Sequence, residues 1–358
     1  MSDTDDLYNE SCPNSTDDTK TKHLLNLTVF LHAVICVLGV LGNTLVIFVT
    51  GFRVKKTVDT VMFLNLAVAD FLFTFFLIFN ITHLAKDFDW PFGEFMCKAY
   101  SLVSVVNMYA SIFLLTAISV DRCLSTWVVV WVQNMRTIFK ARMTCVVIWL
   151  TSICLSLPYF IYRKTHFCET KNITSCFLDL PETSRLTIYK SLIVFRFVVG
   201  FLVPIIIITG SYVAIGVRIR RLRHKTLKPL RTILAVILAF FFCWLPFHIY
   251  LFIDLWAHET REKDENMDLD AFKEVLDVVG SLVTSLAFLN SCLNPFLYVF
   301  MCKEYKTKLK QSVLLVLESA FAEEHLFLLV SQYSLSHRKS HSQNVPDTED
   351  TQCSADKT

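Results

Sequence analysis

The chain has 358 residues, a net charge of +2, a 54% hydrophobic composition and 31 Phe. Its charged share of 18% falls below the roughly one quarter usual for soluble proteins, and the charges gather in short stretches between long apolar runs. That pattern excludes an ordinary soluble domain and marks a polytopic membrane protein. The 12 Cys form no CxxC pair and no Cys/His spacing suited to zinc.

Residues 1–23 are polar and acidic, with Asp3, Asp5, Asp6, Glu10, Asp17 and Asp18. They do not resemble a cleavable signal peptide, so the first apolar run is expected to serve as an uncleaved anchor. About 20 apolar residues span a bilayer as a helix, and seven segments qualify: 24–50, 58–84, 98–120, 143–162, 191–217, 230–256 and 275–301. Each is expected to be helical, because lipid offers no partner to a free backbone group. Pro158, Pro204, Pro246 and Pro295 fall inside these segments and are read as tolerated kinks. The fold expected is an all-α bundle over 24–301.

The spacers fix the orientation. Arg53, Lys55 and Lys56 follow the first segment, Arg136, Lys140 and Arg142 the third, a block from Arg218 to Arg231 the fifth, and Lys303 to Lys310 the seventh. Positive charge stays in the cytoplasm, so the amino terminus is placed outside the plasma membrane. The glycosylation signals at Asn9, Asn14 and Asn172 fall on the same outer side. Those at Asn26 and Asn80 lie too near the bilayer to use. Residues 302–320 alternate charged and apolar side chains, as in a short helix lying on the inner leaflet, with Cys302 a candidate for palmitoylation. Residues 321–358 form a Ser/Thr-rich cytoplasmic tail, which phosphorylation would make densely negative.

Polar groups inside a membrane need partners and mark function. Asp70 is the one acid in the middle of a spanning segment, with Asn43, Asn107, Ser111, Asn290, Ser291 and Asn294 as candidate companions. A carboxylate among amides and hydroxyls suits a small hard cation; an ion-free hydrogen-bond network is the other reading. Arg196, deep in the fifth segment, expects an anion, and Arg163 is a candidate second contact. The alternative is that both snorkel.

Ordered motifs then accumulate: Gly42-Asn43, Leu66-Ala-Val-Ala-Asp70, Ser119-Val-Asp121-Arg122-Cys123, Trp149, Pro204 with Tyr212, Phe240-Phe-Phe-Cys243-Trp244-Leu-Pro246 and Asn294-Pro295-Phe-Leu-Tyr298. With one in every segment, the chain resembles the rhodopsin-like G-protein-coupled receptors over about 24–320. The stretches around Trp90, Cys97, Trp131, Arg196 and Asn290 are similar to the chemerin and formyl-peptide chemoattractant group. The resemblance implies a sodium site at Asp70, Asn107, Ser111, Asn290 and Asn294. It also implies that Asp121, Arg122, Tyr212, Phe240, Trp244, Pro246, Pro295 and Tyr298 transmit activation. Cys123 replaces the usual Tyr, and helix six offers no acid near Thr226 and Lys228, so Asp121 is the expected partner of Arg122.

The same resemblance implies a Cys97–Cys176 disulfide, to which a second, Cys12–Cys168, is added as a proposal. It implies a pocket in which Arg196 and Arg163 grip a ligand's carboxylate. Formyl-peptide receptors carry an Asp in helix three where this chain has Val105. Polar contacts are therefore expected from Asn80, Asn107, Tyr109 and His248, beside Phe247 and Trp244; His248 is read equally as a core residue. The function implied is a receptor for a chemoattractant peptide or protein, coupled to a Gi-class G protein, then to receptor kinases and arrestin, in chemotaxis and inflammation. A non-signalling decoy, a lipid-mediator receptor and, remotely, a transporter are the alternatives. A retinal protein is excluded by the absence of Lys from 275–301. No enzyme constellation, nucleic-acid partner or cofactor beyond the allosteric ion is expected.

Overall fold

A computed structural model describes residues 19–128, 135–169, 172–221, 228–263 and 270–301. Among these, seven helices are long and apolar enough to cross a membrane. Helix one is Thr19–Phe48, continued by a π turn at Val49–Arg53. Helices two, three and four are Val58–Ala85, Gly93–Trp127 and Ile138–Ile161. Helix five combines Arg185–Phe197, a π turn at Val198–Leu202 and Val203–Arg221. Helices six and seven are Lys228–Lys263 and Asp270–Met301. Several run well past the apolar segments that announce them, because a helix leaving lipid continues on polar residues that hydropathy does not count. The amphipathic stretch 302–320, Cys302 and the tail lie outside the described residues.

Helix three is the axis of the bundle, with two thirds of its spanning window buried, against 22% for helix four. Its inward residues, among them Met108, Ile112, Leu115 and Ile118, form one core with Leu66 of helix two, Ile208 of helix five and Phe240 of helix six. Outward-facing Phe30, Phe75, Val147, Ile206 and Phe242 remain exposed, as a lipid solvent allows.

Helix five solves a local problem at Pro204, whose ring nitrogen cannot donate to the carbonyl of Gly200. The chain widens into the π turn just before it, a common answer to an interrupted ladder. Gly200 then presses against helix three so closely that a Cβ there would lie 3.1 Å from Met108 Cε and Tyr109 Cε1. Gly39 marks a second close approach. A Cβ would strike Thr74 Cγ2 and come within 2.8 Å of Thr74 Cβ, and the Thr74 hydroxyl is itself tied to the Asp70 carbonyl at 2.8 Å. Gly39→Ala is therefore expected to destabilise the bundle by about 1–3 kcal/mol, read as a lower melting temperature in detergent; an unchanged value would mean that helices one and two part freely.

On the outer side, strands Arg163–Cys168 and Ile173–Leu178 pair antiparallel as a hairpin. Asn172, at its turn, is exposed with φ 54°. The hairpin is pinned three ways. Cys97 at the top of helix three is disulfide-bonded to Cys176. Trp90 N–H donates to the Thr174 carbonyl at 2.8 Å, and Thr174 N–H donates to Asp89 Oδ1 at 2.9 Å. Cys168 is also disulfide-bonded; Cys12, its expected partner, lies outside the described residues, as do Asn9 and Asn14.

Candidate functional site

Below the hairpin a cavity of about 430 Å³ opens into the bundle, a volume within the range of small-ligand sites. Helix three contributes Ser101, Ser104, Val105 and Met108. Their i, i+3, i+4, i+7 spacing is one helical face. Helix six contributes Trp244, Phe247 and Leu251. Val105 gives this wall no charge where the formyl-peptide pattern would place an acid.

Charge comes from the opposite side. Arg163, at the first position of the hairpin, and Arg196 of helix five both line the cavity. The Arg196 guanidinium lies 4.3 Å from the centre of the Tyr159 ring, a cation–π contact. Arg163 Nη1 donates to the Cys176 carbonyl at 3.2 Å, so the disulfide-held strand also aims this arginine. Both Nε atoms are buried with no hydrogen-bond partner among the described residues. Burial, with a smaller push from Arg196, holds Arg163 below the usual arginine range, yet an arginine there stays charged. Two cations facing one space, with donors left over, make an anion receptor.

Asn80, Asn107, Tyr109 and His248 are not among the residues lining this cavity, contrary to expectation. Asn107 and Tyr109 leave the 101/104/105/108 stripe, Asn107 toward helix seven and Tyr109 into full burial beside Phe113. Asn80 Nδ2 instead meets His32 Nδ1 at 3.2 Å, and His32 Nε2 meets Ser285 Oγ at 3.1 Å, joining helices one, two and seven. His248 is packed between the rings of Phe197, Phe201 and Phe247. It is the core residue of the two readings. Beside the two arginines, polarity in the cavity comes instead from Tyr100, Ser101, Ser104, Tyr159, Tyr189 and Thr284, none of which sequence reasoning singled out. Tyrosines near lipid–water boundaries are common, so no pattern distinguished these.

Deeper in the bundle Asp70 is fully buried. Its Oδ2 accepts from Asn294 Nδ2 at 2.7 Å and its Oδ1 from Ser111 Oγ at 3.4 Å. The Asn107 amide satisfies its surroundings with nitrogen toward Asp70 Oδ1, at 3.2 Å, and oxygen accepting from Ser291 Oγ at 2.9 Å. Asn43 Nδ2 donates to the carbonyls of Gly39 and Ser291, at 2.9 and 3.0 Å. Asn290 is buried on helix seven but makes no hydrogen bond to Asp70 among the described residues. It sits one position from Ser291, which turns toward Asn107 in its place. Asn294 Oδ1 and Asn43 Oδ1 are buried with no partner. A carboxylate surrounded by hydroxyls and idle carbonyl oxygens fits a hard monovalent cation, whose ligands are oxygens.

At the cytoplasmic end the expected Asp121–Arg122 pair does not form. Each of the two is taken by another partner. Arg136 Nε instead donates to both oxygens of Asp121, each at 3.1 Å, while Arg122 Nη2 lies 2.9 Å from Asp59 Oδ2 on helix two. Arg136 Nη2 reaches Asp59 Oδ1 as well, at 2.9 Å. Burial alone would lower the proton affinity of Arg136; Asp121 and Asp59 reverse this and hold it above the arginine range. Between the two ends, Trp244 packs on Phe240 with ring centroids 5.9 Å apart, and Tyr212 of helix five is half-buried. Pro246 and Pro295 lie inside helices six and seven. The side chain of Tyr298 lies outside the described residues.

Residues 42–298 match the model of the 7 transmembrane receptor (rhodopsin family). The chain belongs to that family. This rhodopsin-family receptor is 41% identical to chemerin-like receptor 1 of Rattus norvegicus over 312 residues, covering 83% of this chain and 80% of the relative. It is 38% identical to the C3a anaphylatoxin chemotactic receptor of Danio rerio over 322 residues, 89% and 85% of the two chains. It is 37% identical to human N-formyl peptide receptor 3 over 308 residues, 83% and 85%. It is thus a multi-pass plasma-membrane receptor of the chemoattractant group and not an enzyme.

Proposed function

We propose that this receptor binds a peptide or protein by admitting its carboxylate-bearing end into the 430 Å³ cavity, and answers by activating a Gi-class G protein. One observation carries the reading: among the described residues the lining holds two guanidinium groups and no carboxylate, and each guanidinium keeps a buried Nε with no partner there. A carboxylate would receive bidentate, charge-assisted bonds there. The cavity takes the end of a chain and leaves a folded body outside, where the acidic amino terminus of the receptor attracts a basic partner. The chemoattractant names of its relatives support a peptide or protein ligand; the Gi class rests on resemblance.

The test is calcium release and inhibition of cyclic AMP formation in cells expressing the chain, with and without pertussis toxin. Cells are challenged with the carboxy-terminal peptide of chemerin, a formylated peptide, and amidated forms of each. A toxin-sensitive response lost on amidation is expected. A response equal for acid and amide peptides sinks the carboxylate reading. In a parallel challenge with fatty acids, a response to these alone favours a lipid-mediator receptor; binding without response favours a decoy.

We further propose that sodium occupies the site at Asp70, with Ser111, Ser291 and Asn294 supplying oxygens and the Asn107 amide turning over to add its own. The ion would neutralise the buried carboxylate and hold helices two, three and seven together, disfavouring the active state. A ligand shifts such a balance only through its different affinity for the two states. Agonist affinity is expected to fall about fivefold or more on replacing potassium by sodium, and Asp70→Asn to abolish that dependence. A variant that keeps the wild-type sodium ratio would leave the network ion-free.

A further inference from the structure

At the cytoplasmic end Arg122, Asp59, Arg136 and Asp121 form one open row of ion pairs, with Arg122 and Asp121 at its two ends. Asp59 occupies the first turn of helix two, where the helix macrodipole favours an anion. That turn is already capped without it, by the reciprocal bonds of Thr57 and Thr60. Asp59 is therefore free to spend both oxygens on arginines, Oδ2 on Arg122 and Oδ1 on Arg136. Asp121, 8% exposed, is neutralised by Arg136. Arg122 is left with Asp59 as its only ion pair among the described residues, and its buried Nε meets no partner.

We infer that Asp59 is the residue that positions Arg122 in the resting receptor, tethering helix three to helix two rather than to helix six, and that Arg136 sets this tether by keeping Asp121 away from Arg122. The inference rests on the proposed G-protein coupling, with Arg122 as one of the residues that the resemblance assigns to transmitting activation. The two arginines have different duties. Arg136, just ahead of helix four, bridges both acids. Arg122 hangs from one carboxylate and is released when that single contact breaks. Removing Asp59 releases Arg122 directly. Removing Arg136 leaves Asp121 uncompensated beside Arg122, so the tether gains a second acid and activation becomes harder. Opposite signs from two members of one cluster distinguish a positioning role from simple damage.

The experiment uses the full-length receptor at matched surface density, with two readouts. The first is basal G-protein activation. The second, independent of any G protein, is the distance distribution between spin labels at the cytoplasmic ends of helices four and six. Asp59→Asn is expected to raise basal activation by about fivefold or more and to populate the longer distance without ligand. Asp59→Glu should restore both readouts, and Arg136→Gln should lower the ligand response without raising basal activity. A shifted distance with no G-protein activation in any variant upholds the tether and sinks the G-protein reading. Wild-type distances and basal activity in Asp59→Asn, with a normal ligand response, overturn the tether and leave the G-protein reading standing. If Asp59→Asn fails to reach the surface, the inference falls unless Asp59→Ser, which keeps a small polar group in the first turn, reaches it and shows the same shift.

Discussion

Arg196→Ala is expected to reduce the potency of a carboxylate-ended peptide by about 10- to 150-fold, the equivalent of losing a charged hydrogen bond of about 1.5–3 kcal/mol. The guanidinium is held 4.3 Å from the centre of the Tyr159 ring and keeps a buried Nε with no partner among the described residues, so it is positioned before any ligand arrives. Little entropy is then lost on binding, and the full charge-assisted interaction is felt. Arg196→Lys retains the charge but not the planar fork, and is expected to recover only part of the loss. Truncation to Ala also removes the stacking on Tyr159, which weakens the wall itself, so the single variant is not sufficient. Amidating the peptide supplies the second edge of a cycle. If Arg196 grips the carboxylate, amidation costs the wild type much and the variant little, and the two losses do not add. Additive losses, each at full size, would place the carboxylate elsewhere.

Much of this was legible in the chain because it follows from lipid. Apolar length gave seven helices, and alternating Lys and Arg gave the orientation, since both are imposed residue by residue. Asp70 was legible for the same reason: a carboxylate in an apolar run must have partners, and the polar residues one or two turns apart on helices three and seven include the ones it takes, Ser111, Asn107 and Asn294. Arg163 and Arg196 were found by their charge. What escaped is whatever depends on rotation and on contacts between distant segments. Tyr109 and His248 are polar residues in the correct helices, but about 100° of rotation per residue decides between cavity and core, and the chain alone does not fix which face is inward. The hairpin at Arg163–Cys168 and Ile173–Leu178 escaped because two short strands carry little periodicity. Asp59 escaped because an acid in a first turn is ordinary helix chemistry. Only the fold brings Arg122 and Arg136 to it, from 63 and 77 positions further along the chain.

Cys97→Ser is expected to lower surface expression severalfold and to lower peptide potency on the receptors that remain. The bond closes a separation of 79 residues, and constraining a loop of that length stabilises the native state by about 4.5 kcal/mol in the chain-entropy account. Against a total stability of about 5–15 kcal/mol, that loss sends a large fraction of molecules to quality control. The effect on potency is separate and more specific. Cys176 sits in the strand paired with Arg163–Cys168, and its carbonyl is the acceptor that holds Arg163 Nη1. Releasing the strand from helix three therefore frees one of the two guanidiniums that shape the anion site, without touching either. Because both cysteines act through one bond, Cys97→Ser/Cys176→Ser should behave like either single variant. Cys154→Ser, which removes an exposed free thiol on helix four, should change neither readout. If Cys97→Ser receptors that reach the surface bind with unchanged potency, Trp90 and Asp89 suffice to seat the hairpin. The disulfide would then act on folding alone.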